Sequence, residues 1–65
     1  MLEQKFGLMD VIGYTDESGK NLKGIICAVT QTESGDYVYD IRLHEPETNT
    51  YIHYFDVSQN EIFNI

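Results

Sequence analysis

The chain has no tryptophan, one cysteine and one proline among its 65 residues. With Cys27 alone there is no internal disulfide, and a secreted domain this small ordinarily needs such staples. A reducing cytoplasm is therefore the expected compartment. Positive charge is also scarce: four Lys and Arg stand against eleven Asp and Glu, a formal net charge of −7. A surface of that sign repels phosphate backbones and anionic headgroups, so direct nucleic-acid or membrane binding is disfavoured. A protein partner with a basic surface is the physical complement. No apolar run approaches the ~20 residues of a bilayer-spanning helix. The opening residues Met1 to Lys5 lack the basic segment, apolar run and small-residue cleavage site of a secretion signal.

What is present is a modest apolar content of 42% with five tyrosines, enough for a core and against disorder. Residues 1–65 read as one domain. A chain of this length buries only about 60% of the surface its unfolded form exposes. Little apolar surface can be diverted to a lid or a deep active site, which argues against an enzyme.

The strongest pattern is Asp36-Tyr37-Val38-Tyr39-Asp40-Ile41-Arg42-Leu43. Tyr37, Tyr39, Ile41 and Leu43 fall on one side of an extended strand, and Asp36, Asp40 and Arg42 on the other. Val38 is the apolar exception on the wet side. Such a period of two belongs to a half-buried strand. Ser34-Gly35 supplies the turn before it, pairing it with the apolar run Ile25 to Val29. That run is continuous, so its strand, Leu22 to Thr30, is expected to be central with both faces covered and Cys27 buried as a small hydrophobe.

Phe6 to Tyr14 reads as a first strand, followed by a polar excursion from Thr15 to Asn21. His44 to Asn49, with Pro46, is a turn, and Thr50 to Phe55 is a fourth strand rich in β-branched and aromatic residues. Ser58 with Glu61 three residues later fits a capping box opening a single helical or 3₁₀ turn. Ile62 to Ile65 closes as a fifth strand. Five antiparallel strands with one 3₁₀ turn before the last predict an all-β fold, a small closed or nearly closed barrel.

In the long loop after Tyr14, Lys23-Gly24-Ile25-Ile26, the Ser34-Gly35 hairpin into Tyr37-Val38-Tyr39, and the closing Val57 to Ile65, the chain resembles the SH3-like small barrels. The resemblance implies a fold, since one barrel hosts many functions. Signalling members bind proline-rich helices in a groove that includes tryptophan. Here there is none, and no acidic-aromatic cluster matches the usual first-loop motif, although Asp16 and Glu17 sit in that loop. Ribosomal and transcription-associated members bind RNA or polymerase with basic loops. The only cations here, Lys5, Lys20, Lys23 and Arg42, do not cluster along the chain.

No spacing of His44, His53, Glu45 and Glu47 matches a common metal-ligand pattern, and no Ser-His-Asp or Cys-His arrangement is suggested. The expectation is no metal, no cofactor and no catalytic residue. The five tyrosines are too many for so small a core, so one or two should remain as surface anchors. Acidic pairs stand in or beside three turns: Asp16 with Glu17, Glu33 with Asp36, and Glu45 with Glu47. The candidate partner-binding residues are Asp16, Glu17, Glu33, Asp36, Val38, Asp40 and Tyr54.

The expected function is a small, acidic, non-enzymatic protein-binding module. It would be an inhibitor, immunity protein, antitoxin or regulatory subunit docking on a basic surface as a monomer or homodimer, in one variant as a nucleic-acid mimic. The alternatives are a nucleic-acid- or ribosome-associated barrel using aromatic stacking, and a structural subunit of a phage or other assembly pairing through a strand edge.

Overall fold

Alternating apolar residues make strands here, and polar turns cut them. In the computed structural model, which describes residues 3–65, β1 is Val11–Thr15, β2 Asn21–Gln31, β3 Tyr37–Glu45, β4 Thr50–Ser58 and β5 Ile62–Asn64, with a 3₁₀ turn at Gln59–Glu61. All five strands form one antiparallel sheet in the order β4-β3-β2-β1-β5. The sheet is open: β4 and β5 are its edges, where the residues predict a closed or nearly closed barrel. It nevertheless curls. β1 and β4 are not neighbours, yet the rings of Tyr14 and Tyr54 stack with centroids 5.1 Å apart.

The inner face follows the alternation. Tyr39, Ile41 and Leu43 of β3 are fully buried, with Ile12, Leu22, Ile26, Val57, Ile62 and Phe6 packed around them. Tyr14, Val29, Tyr37, Ile52 and Tyr54 lie half-buried against this core. β2 is indeed the central strand, but only its inner face is covered: Lys23 on the outer face is exposed, and Cys27 is exposed rather than buried. The reason is a β-bulge: Ile26 pairs with Ile41 and Ala28 with Asp40, leaving Cys27 as an extra residue. A bulge reverses parity, so Leu22 and Ile26 point inward before it and Val29, opposite Tyr39, after it.

β4 carries a second bulge. Tyr54 pairs with Ile41 and Val57 with Tyr39, so Phe55 and Asp56 together face Asp40. Asp56 adopts φ of 54°, and its N–H donates to the Asp40 carboxylate at 3.3 Å. Phe55 is left 71% exposed.

Three boundaries differ from expectation, and one of them is β4, which runs to Ser58 rather than ending at Phe55. The first strand starts at Val11, not Phe6, because Gly7 to Asp10 forms a turn. The Asp10 carboxylate accepts from Gly7 N–H at 2.7 Å, and Met9 has φ of 71°. The loop after β1 is a tight hairpin, not an excursion: Thr15 already pairs with Asn21, and Asp16 N–H donates to the Lys20 carbonyl at 2.9 Å. The 3₁₀ turn falls where expected, although its Ser58 cap accepts from Asn60 N–H at 3.3 Å rather than from Glu61.

The turn delivers Gln59, 2% exposed, to the core. Its Oε1 accepts from the Tyr39 hydroxyl at 3.1 Å and from Lys5 N–H at 3.2 Å, while its Nε2 donates to the Glu3 carbonyl at 2.9 Å. The Tyr39 oxygen in turn accepts from Phe6 N–H at 3.3 Å, and the Phe6 ring meets Tyr39 edge-on at 5.9 Å. Burial of these polar groups is tolerated because each has a partner. Tyr39→Phe would remove two of these bonds and strand the Phe6 N–H. The expected cost is about 1–3 kcal/mol, read as a fall in Tm of roughly 4–8 °C per kcal/mol for a domain of this size.

Candidate functional site

With the inner face filled, the outward positions hold whatever the core does not need. The register aligns them in two rows across the sheet. In one, Val11 stands opposite Ile25, Ile25 opposite Arg42, and Arg42 opposite His53. In the other, Lys23 stands opposite His44 and His44 opposite Tyr51. Val11, Lys23, Gly24, Ile25, Arg42, His44 and Tyr51 line a shallow groove of about 380 Å³.

Gly24 allows this surface to form. A β-carbon there would collide with the Arg42 carbonyl oxygen, so only glycine lets the β3 backbone approach so closely. The Arg42 guanidinium lies over the Tyr51 ring, 5.0 Å from its centroid. The His44 ring packs beside Tyr51 at 5.2 Å and pairs through Nε2 with Asn49 Oδ1 at 2.9 Å. Tyr51 is thereby held in place while remaining 60% exposed.

Lys23 and Arg42 thus share one groove with His44, although they are not grouped along the chain. Lys20 is placed differently: its ammonium pairs with Glu45 at 2.6 Å and Glu47 at 3.4 Å. Among the described residues no acidic one lines the groove. On a chain of net charge −7 it is a local cationic seat with an apolar floor.

The candidate residues named from the sequence are not brought into one site. Asp16 and Glu17 lie in the β1–β2 turn, and the Lys20–Glu45 pair joins that turn to the end of β3. Glu33 and Asp36 lie in the β2–β3 turn, separated from the first by the eleven residues of β2, a span of roughly 35 Å in an extended strand. Val38, half-buried, and Asp40 are on the outer side of β3, whereas Tyr54 faces inward against the core.

Several of these carboxylates organise their own turns. Asp16 Oδ1 accepts from Ser18 N–H at 2.9 Å, the Ser18 hydroxyl at 2.6 Å and Lys20 N–H at 2.9 Å. Those bonds, the Ser18 hydroxyl first, hold the Asp16 carboxyl below its usual range. The Lys20 ammonium does the same for Glu45 and is itself held above its ordinary value by Glu45. The Asp36 carboxylate accepts from the Ser34 hydroxyl at 3.3 Å. Glu17 and Glu33 are exposed. Burial first, and Glu61 second, push the Tyr14 phenol up.

Among the described residues no group of three His, Cys, Asp or Glu is placed to hold a metal, and no helix is long and apolar enough to cross a membrane. The chain matches no protein-family model, no curated protein and no solved structure.

The carboxylate shifts fix the sign of an acid dependence. The native state favours ionised Asp16 and Glu45, so their contribution is fully present above the ordinary carboxyl range of about 4 and is lost as pH falls through the lowered native values. Thermal unfolding followed from neutral to strongly acidic pH should show Tm falling on the acid side. Asp16→Asn, which keeps an oxygen acceptor without titrating, should flatten that fall. An unchanged acid limb would remove Asp16 from the account.

Proposed function

We propose that the chain is a small non-enzymatic protein-binding module of the SH3-like type, serving as an inhibitor, immunity protein, antitoxin or regulatory subunit in the cytoplasm. The curl of the sheet and the 3₁₀ turn leading into β5 support the small-barrel reading. The observation that carries the binding reading is the outer face. Val11 and Tyr51, which line the groove, are 52% and 60% exposed on a domain that has few apolar residues to spare, while Leu8, Met9, Phe55, Phe63 and Ile65 are exposed outside that lining. Exposed apolar surface gathered on one face marks an interaction site more often than scattered residues do.

The charge distribution supports a division of labour. Acidic turns at both ends carry six of the eleven carboxylates behind the net −7 and draw the molecule towards a basic partner, which raises the encounter rate. Contact is then made by the outer face, with aromatic anchors of the kind that dominate interface energies. Val38, half-buried on the same side, extends that face beyond the groove.

Affinity capture from the native host with the whole chain, read by mass spectrometry, tests this. The expected result is one stoichiometric basic protein, lost when Tyr51→Asp and Phe55→Asp are combined, with circular dichroism confirming the fold. Recovery of nucleic acid in place of protein, or equal recovery with the double variant, would overturn the reading. Glu17→Lys with Glu33→Lys should slow association several-fold and leave dissociation nearly unchanged, as expected for steering charges outside the contact.

A further inference from the structure

We infer that the groove over Gly24 receives an acidic, apolar segment of the partner protein, its carboxylate held by Arg42 and Lys23 and its aliphatic part laid on Val11, Ile25 and Tyr51. This rests on the docking reading above and names the chemistry of what docks. Global and local charge have opposite signs here. The chain carries four Lys and Arg in all. Two of them, Lys23 and Arg42, line this groove beside the His44 ring, and His53 stands opposite Arg42. Such a concentration is complementary to a carboxylate and not to a basic segment.

Arginine provides a planar fork suited to bidentate carboxylate binding. The Arg42 guanidinium is already oriented by the Tyr51 ring beneath it, so less conformational freedom is lost on binding. The floor is aliphatic and aromatic, so a bare anion would leave it wet. At about 380 Å³ the groove has room for a few side chains rather than a domain.

A nucleic-acid strand fits less well. Stacking a base on Tyr51 would compete with Arg42 over the ring and His44 beside it. A polyanion would also meet the field of the acidic turns, whereas a single carboxylate engages only the local cations. A second copy of the chain brings its own cations to the same face, so groove-to-groove pairing is repulsive.

The test is a titration of the isotope-labelled full chain, followed by amide-resolved NMR. Three probes are used: a capped leucine-rich hexapeptide with a single glutamate, its lysine-leucine counterpart with a single lysine, and a short oligothymidylate. The acidic peptide is expected to shift the signals of Gly24, Ile25, Arg42 and Tyr51 and to bind more tightly than either other probe. Lys23→Gln with Arg42→Gln should weaken it by about tenfold or more, and Arg42→Lys less. Unchanged melting temperature in these outward-facing variants separates lost binding from lost fold.

Equal or tighter binding of the lysine-leucine peptide or the oligothymidylate, or shifts confined to other faces, would overturn the proposal. Captured partner retained by Lys23→Gln with Arg42→Gln but lost with Tyr51→Asp and Phe55→Asp keeps the docking module and removes the carboxylate clamp. Peptide binding at the groove with no captured partner does the reverse.

Discussion

The Tyr39 hydroxyl, joined to Gln59 and Phe6 inside the core, is the contact on which the rest of the structure depends. A phenol in a dry interior needs partners, and the sheet alone does not supply them. The N-terminal segment and the 3₁₀ turn do, one from each end of the described chain. Once Gln59 is seated, Ile62 follows directly into β5, which pairs with β1 through Tyr14. One polar knot thus ties together the arm, β3 and the closing edge.

The outward groove is a by-product of that inward order. Each strand that places an apolar residue in the core must turn its neighbours outward, and the register then decides which of them meet. Lys23 and Arg42 come together because Gly24 and Ile25 pair with Leu43 and Arg42. Their company with Val11 and Tyr51 makes a surface that the overall charge conceals. A net charge is a sum, and here two of the four Lys and Arg, Lys23 and Arg42, share one groove free of acidic lining among the described residues.

Much of the scaffold was legible. The period of two in β3, the turn at Ser34-Gly35, the left-handed Asn49 after Pro46 and the 3₁₀ turn after Ser58 all appear where local chemistry puts them. What escaped was non-local. Nothing in the residues announces an extra Cys27 in β2, because Ile25 to Val29 reads equally well in either phase, and the buried side of that run is decided only by pairing with β3. The groove was missed for the same reason, since Lys23 and Arg42 become neighbours only through register. Their outward positions within otherwise apolar strands were the available signal. The acidic residues misled differently: Asp16 looked like free surface charge, yet its carboxylate closes its own turn.

The two bulges flank a single residue of β3, Asp40. On either side the neighbouring strand takes one more residue than β3 to pass the same point. β3 is therefore the short track of a bend, with longer tracks beside it, and a ribbon whose adjacent paths differ in length cannot lie flat. The curvature that brings Tyr14 to Tyr54 is in part a matter of unequal contour length, set by where Cys27 and the Phe55-Asp56 pair are inserted.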